Sequence, residues 1–340
     1  MTPKRSRLSF APLAPYVALV AMLIIASVTS EHFFQLRNLL NITRQVSYTG
    51  IIALGMTFVI IAGGIDLSVG SAVAFIGGVV VLTMNYLVEQ YGPENQAWFV
   101  VVAFLVGLAI GMGGNLISGI LITKFNIAPF IATLGFMGMY RSLALYVGDG
   151  GEFRVAGSIR AFSQFGSKWI LGVPAPSLIL FLLAALFGVI LNWTRFGRYV
   201  CAVGSNERVA AYAAVKVGRV RTITYMILGV TVAISAFMLG GRMNSINSTN
   251  AGTLYELDSI AAVVIGGTSM AGGSGSMAGT VVGALMLGII NNMLNMLGVS
   301  AYLQGTVKGL VIILAVLVQR PETQQMVKGA YSWVASRFSK

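Results

Sequence analysis

Apolar runs long enough to cross a bilayer, at about 20 residues per helix, recur along the whole chain. They lie at roughly 11–28, 46–62, 70–88, 96–114, 127–146, 175–192, 222–240, 259–270, 277–296 and 302–318. Ten such segments in 340 residues leave room for little more than connections. Charged residues make up 9% of the chain, against about 25% in a soluble domain, and the mean hydropathy is +0.84. A water-soluble fold needs charge to cover its surface, whereas a fold solvated by lipid carries apolar side chains inside and out. The chain therefore reads as an all-α polytopic membrane protein with about ten transmembrane helices, and a soluble enzyme is excluded. Its 41 glycines are scattered rather than periodic, which suits closely packed transmembrane helices.

An even number of spans puts both termini on one side, and the positive-inside rule tests that arrangement. With a cytoplasmic N-terminus, the inner segments hold Lys4, Arg5, Arg7, Lys124, Arg195, Arg198, Arg208, Lys216, Arg219, Arg221, Arg320, Lys328, Arg337 and Lys340, which is 14 of the 22 basic residues. Outer segments hold Arg37, Arg44, Arg154, Arg160, Lys168 and Arg242, while Arg141 and Lys308 fall within spans. The expected layout is a cytoplasmic N-terminus over 1–10, a transmembrane domain over 11–318 and a cytoplasmic tail over 319–340. Within the domain the 193–221 connection is cytoplasmic, and 147–174 and 241–258 are external loops. The net charge of +12 then records topology, not a nucleic-acid partner. The basic start followed by an apolar run also fits a signal peptide, with Val28 and Ser30 near a cleavage pattern; in a polytopic chain a retained signal anchor is the expectation. A single cysteine, Cys201, and a single histidine, His32, allow neither a disulfide framework nor a His/Cys metal site within one copy.

Two Gly-rich breaks interrupt apolar segments: Gly63, Gly64, Ile65, Asp66, Leu67, Ser68, Val69, Gly70, Ser71, and Gly266, Gly267, Thr268, Ser269, Met270, Ala271, Gly272, Gly273, Ser274. Each starts with a Gly pair, and they lie about 203 residues apart, a hint of two related halves. Broken helices expose backbone groups that must face protein or a watery cavity, as re-entrant turns do. Asp66 is the one acid at such depth. Two roles stand for it: a cap on the following helix, or an ionisable functional group.

Segment 277–296 resolves into two faces at about 100° per residue. With Gly275 at zero, Gly279 falls near ~40° and Gly283 near ~80°, a small-residue strip for close helix contact. Ala284, Gly288, Asn291 and Asn295 fall between ~160° and ~220°. Amides are costly in lipid, so Asn291 and Asn295 are expected either to bond a neighbouring helix or to line a polar path.

In the 193–221 connection, Asn206 is a natural N-cap and the Ala-rich run from Arg208 to Val217 should form a short helix. Basic at both flanks, it reads either as an interfacial anchor or as a docking element. Gly273, Gly275 and Ala278 match a dinucleotide fingerprint by spacing, but no βαβ unit surrounds them. No lysine follows a glycine, so a phosphate loop is absent and any ATP must be bound by another subunit.

Gly55–Thr57 with the Gly63 to Ser71 motif, TRFGRYVCAVGSNE at 194–207 and YELDSIAAVVIGGTSMAGGSG at 255–275 resemble, in order, the ribose-type sugar permeases of bacterial ABC importers, in the branched-chain amino acid/ribose permease superfamily. The resemblance covers roughly 40–318. It implies a multi-pass protein of the bacterial inner membrane that lines a monosaccharide path and has no catalytic residue or metal site. It also implies a second permease subunit, either this same chain or a paralogue, a pair of cytoplasmic ATPases carrying the ATP and Mg, and a periplasmic sugar-binding protein, all set in membrane lipid. Arg195, Gly197, Arg198, Gly204, Asn206, Glu207, Arg208, Ala213 and Ala214 would then meet the ATPase. Gly63, Gly64, Asp66, Ser68, Gly266, Gly267, Asn291 and Asn295 would belong to the path or its breaks, and loops 147–174 and 241–258 to the docking face. Where the family commonly has Ser-Gly-Ile, this chain has Ala213, Ala214 and Val215, which implies a stiffer coupling helix because Ala exceeds Gly in helix propensity by about 1 kcal/mol. The rival reading is an ion-coupled secondary transporter of a small polar solute. It needs a titratable mid-membrane group, and the chain offers little beyond Asp66.

Overall fold

A computed structural model describes residues 14–157 and 159–319. The predicted segment 1–10 and the tail beyond 319 lie outside the described residues. Helix α1 covers Ala14–Thr29 and α2 covers Leu36–Ile61. The start of α2 at Leu36 rather than 46 has a local cause: 36–45 is too polar to read as an apolar run, yet holds no Gly or Pro to break a helix. Arg37 and Arg44 therefore sit on a helix and not in a loop.

Helix α3 (Val69–Tyr91), a 3₁₀ turn at Pro93–Asn95, α4 (Gln96–Lys124) and α5 (Pro129–Val147) follow. Next come strand β1 (Glu152–Arg154), α6 (Ala161–Ser167), β2 (Trp169–Ile170), β3 (Val173–Pro174) and α7 (Ala175–Trp193). The chain continues through α8 (Arg195–Ser205), α9 (Glu207–Tyr212), α10 (Val217–Met243), β4 (Ser245–Asn247), α11 (Tyr255–Ile265), α12 (Met277–Met296) and α13 (Ala301–Gln319).

Among the described residues seven helices are long and apolar enough to cross a membrane: α2, α3, α4 with its leading turn, α5, α7, α10 and α12. The architecture is that of an all-α polytopic membrane protein, with the strands among the described residues confined to two short antiparallel pairs, β1 with β4 and β2 with β3. Among the described residues each of the ten apolar segments overlaps a helix, but the 259–270 segment is not a full helical crossing. Its helix α11 has 11 residues, roughly 16 Å at 1.5 Å per residue. It starts after Leu254, held at φ +64°, and stops at Gly266.

Helix α2 is central: 83% of its most apolar stretch is buried within the chain, against 22% for α5. Helix α10 packs antiparallel to it, with Ser235 Oγ donating to the Tyr48 carbonyl (2.8 Å) near one end and Arg221 Nε donating to the Ala62 carbonyl (3.2 Å) near the other. On its other side α10 runs antiparallel to α4, since Phe104 meets Phe237 at 4.9 Å between ring centroids and Thr123 bonds Thr222 at 3.2 Å. Midway along that pair, a Cβ on Gly111 would strike the Gly229 carbonyl, and one on Gly229 the Gly111 carbonyl. Backbones this close gain dispersion contacts and need glycine on both sides.

Helix α12 lies antiparallel to α2, joined by the Thr57–Thr280 hydroxyl pair at 2.7 Å. The chain divides into a unit up to Ile289 and a second from Ile290 onward. In the second, Gln304 Nε2 of α13 donates to Asn295 Oδ1 at 2.8 Å.

Candidate functional site

The 193–221 connection folds as two short helices, not the one expected from Arg208 to Val217. Thr194 caps α8, its Oγ1 accepting from Gly197 N–H at 3.2 Å, and Asn206 caps α9, its Oδ1 accepting from Val209 N–H at 3.1 Å. A Cβ on Gly197 would strike the Leu191 carbonyl, so glycine lets α8 turn sharply off α7. Helix α8 buries Gly197, Val200 and Val203 and exposes Arg195 and Arg198, and Phe196 meets Phe58 of α2 at 6.0 Å.

Helix α9 ends at Tyr212, so Ala213 and Ala214 are not inside a helix, and the stiffening expected from them is overturned. Val215 N–H donates to the Ala210 carbonyl (3.1 Å) and Ala214 N–H to the Ala211 carbonyl (3.0 Å). These are the two bonds of a Schellman stop, whose residue after the cap is left-handed and usually glycine. Ala214 holds that position at φ +58°, where a Cβ costs about 1 kcal/mol or more. A cleft of about 720 Å³ opens beside α9, lined by Asn206, Glu207, Arg208, Ala211 and Val217.

This α8–α9 element rests on both helix breaks. A Cβ on Gly204 would strike the Ile61 carbonyl at the end of α2 and lie 2.6 Å from the Gly273 nitrogen. Gly273 N–H itself donates to that Ile61 carbonyl at 2.8 Å, so the second break is bonded to the end of α2, just ahead of the first. Glu207 pairs with Arg221 at 2.9 Å, and Arg221 Nε reaches the Ala62 carbonyl in the first break. Gly63 (φ +79°) and Gly267 (φ +89°) hold left-handed turns in the two breaks. A Cβ on Gly64 would stand 2.8 Å from the Tyr225 hydroxyl, and one on Gly266 would strike the Gly279 carbonyl.

Asp66 is fully buried. Its Oδ1 accepts from Ser68 N–H at 2.8 Å and Ser68 Oγ at 2.6 Å, and its Oδ2 receives a long contact of 3.4 Å from Asn115 Nδ2. Ser68 is the N-cap residue of α3, so the carboxyl closes an Asx turn ahead of the helix instead of capping its first turn directly. Asn115 Nδ2 also donates to the Tyr225 carbonyl (3.2 Å), and Tyr225 Oη donates to the Ile65 carbonyl (3.0 Å). A buried carboxyl without such partners would cost several kcal/mol.

The strip on α12 lies against α11: a Cβ on Gly279 would strike the Gly266 carbonyl and one on Gly283 the Ala262 carbonyl, while Gly275 abuts Ile61 and Thr268. On the other face, Gly288 abuts Val46 of α2. Asn291 is half-buried with an unbonded Oδ1, and Asn295 is exposed and bonded to Gln304.

At the opposite end of the chain's helices, β1–β4 pairing joins the 147–174 and 241–258 loops, with Phe153 opposite Ile246. Ser245 Oγ (2.6 Å) and Arg154 (3.0 Å) bond Glu152 and hold its carboxyl below the usual range. From β4 the chain returns toward the breaks as an irregular segment to α11, reaching Gly70, whose Cβ would strike the Gly252 carbonyl and Glu256. Arg141 of α5 pins that segment: Nη1 donates to the Ser248 (2.8 Å) and Thr249 (3.1 Å) carbonyls and Nη2 to the Ala251 carbonyl (3.0 Å). Sequence reading left Arg141, Asn115, Tyr225 and Arg221 without roles. The cost of a guanidinium within a span was the signal available for Arg141. Among the described residues no group of three or more His, Cys, Asp or Glu side chains is placed to hold a metal ion.

The family model for "branched-chain amino acid transport system / permease component" matches residues 38–316. The chain is 42% identical over 311 residues to "Ribose import permease protein RbsC" of Bacillus subtilis (strain 168), covering 92% of this chain and 93% of that one. It is 40% identical over 304 residues to the protein of the same name from Escherichia coli (strain K12), covering 89% and 91%. It is 37% identical over 309 residues to "Galactose/methyl galactoside import permease protein MglC" of Escherichia coli (strain K12), covering 88% and 91%. No solved structure matches it significantly.

Proposed function

The chain belongs to the family of branched-chain amino acid transport system permease components, and from that membership we propose that it is the membrane-spanning subunit of a bacterial ATP-driven sugar importer. Its cargo is a monosaccharide such as ribose or a related pentose or hexose. What carries the reading is that relatives named for ribose and for galactose import each align over about nine tenths of both chains. The subunit sits in the inner membrane with ten membrane-embedded segments and both termini cytoplasmic. It pairs with a second permease, a copy or a paralogue. The nucleotide and its Mg belong to a cytoplasmic ATPase, and a periplasmic protein delivers the sugar to the face built on β1 and β4.

The contacts of α8 and α9 support a route for the ATPase's motion. An ATPase element seated in the cleft beside Glu207 and Arg208 would push on a body that meets both breaks at Gly204. The Glu207–Arg221 pair adds a second contact with the first break through the Ala62 carbonyl. An exposed ion pair contributes at most about 1 kcal/mol, so its part is geometric rather than stabilising.

The test is uptake of labelled ribose and galactose into proteoliposomes holding this chain, its ATPase and its binding protein. Uptake should require all three and internal ATP. Uptake sustained by a proton or sodium gradient in liposomes holding this chain alone would overturn the proposal in favour of the ion-coupled rival. Asp66→Asn separates the two readings further, because the amide oxygen can still accept both Ser68 bonds and the only contact given up is the long 3.4 Å one from Asn115 Nδ2. It should transport normally in an ATP-driven importer and fail if the carboxyl carries a proton.

A further inference from the structure

The crossing of α4 and α10 forms an open groove of about 370 Å³ at their ends nearest α9, lined by Ile120, Thr123 and Lys124 of α4 and by Gly218, Arg219, Thr222 and Ile223 of α10. The geometry points to a binding site for one anionic phospholipid, its phosphate held between Lys124 and Arg219 and an acyl chain lying along Ile120 and Ile223. This goes beyond the transport reading and rests only on the chain spanning a membrane.

The groove exists because small residues bring the two helices together. A Cβ on Gly119 would lie 3.1 Å from the Thr222 Cα, and one on Gly218 would lie 3.6 Å from the Thr123 Cβ. The larger Ile120 and Ile223 then stand as walls on either side of the crossing. Apolar side chains close by in the chain are exposed, as suits contact with lipid: Ile117, three residues before Ile120, is 52% exposed and Phe125, next to Lys124, is 67% exposed.

The polar groups fix the sign of the ligand. Lys124 ends its helix and Arg219 lies in the first turn of α10, both exposed. No carboxylate lines the groove, and among the described residues neither cation belongs to an ion pair. Thr123 Oγ1 donates to the Gly119 carbonyl at 2.7 Å. Its hydroxyl is also bonded to that of Thr222, so Thr222 is the donor there and both hydroxyl protons are committed. The hydroxyl oxygens can then only accept, and a phosphate, itself only an acceptor, must be bonded by the two cations. Charge at the end of an apolar groove matches a headgroup with its chain attached, and free phosphate would leave the isoleucine walls without a partner.

The experiment is native mass spectrometry of the purified, delipidated full chain, titrated with phosphatidylglycerol or with phosphatidylcholine of identical acyl chains. The wild type should retain one phosphatidylglycerol in preference to phosphatidylcholine. Lys124→Gln with Arg219→Gln should lower that preference about 30-fold, the value of two surface cations, at an unchanged melting temperature. Arg160→Gln with Lys168→Gln removes the same charge from the exposed loop at the other end of the helices and should leave the preference intact. Equal retention of both lipids by the wild type, or an equal loss in the two double variants, would overturn the site. In a second arm, phosphatidylglycerol should shield Lys124 from amine acylation. Equal shielding by inorganic phosphate alone would overturn the lipid assignment.

Discussion

Arg141 offers a direct test of how the segment between β4 and α11 is held. Its guanidinium donates three hydrogen bonds to backbone carbonyls. Water can replace the exposed one at Thr249, so the bonds to Ser248 and Ala251 carry the effect. A hydrogen bond to a charged group contributes about 1.5–3 kcal/mol, and losing two removes roughly 3 kcal/mol at the low end. Folded proteins have about 5–15 kcal/mol in total, so Arg141→Leu should free the segment while the rest of the bundle persists. Hydrogen exchange reads this locally. Ser248 N–H is bonded to the Gly151 carbonyl and Ala251 N–H to the Asn247 carbonyl, and both should exchange roughly 100-fold faster in the variant. Amides in the middle of α10 should be unchanged. Arg141→Lys should fall between, since one ammonium cannot span three carbonyls as a planar fork does. Unchanged protection in Arg141→Leu would refute the reasoning.

Three further outcomes are expected. Ala214→Gly should raise the melting temperature of the full chain, worth about 1 kcal/mol, because glycine bears the left-handed stop without a Cβ penalty; a lowered value would show that Ala214 does not hold that geometry. Glu207→Arg should lower sugar uptake at unchanged expression. Adding Arg221→Glu should restore it only in part, since a glutamate cannot donate to the Ala62 carbonyl, and full rescue would refute a role for that bond. Burial raises the Cys201 thiol above its usual value, leaving less thiolate at neutral pH. Maleimide labelling of Cys201 should therefore be slow at pH 7, accelerate as pH rises past the ordinary thiol range and occur from the cytoplasmic side only; labelling from outside would reverse the orientation.

What the sequence made legible was local. Hydropathy located every long helix because each span meets lipid or core along its own length. Asn206 was readable as an N-cap because cap and capped amide lie three residues apart. Boundaries failed where a polar helix extends past its apolar run, as at 36–45, and where an alanine takes a left-handed position usually left to glycine, as at 214. The site itself depends on distant pairings: Arg221 reaches a carbonyl 159 residues away, and Arg141 one 107 residues away. No periodicity encodes such partners. A guanidinium in a span announces that it needs acceptors, but not which ones.

The bond from Gly273 N–H to the Ile61 carbonyl restricts how the protein can move. The α2–α3 turn and the α11–α12 turn share that link and share Gly204 as neighbour, so neither can travel far unless the other follows or the link ruptures. If the proposed ATPase pushes on α8, its stroke would have a single coordinate to drive, and helices from opposite ends of the sequence would swing in synchrony.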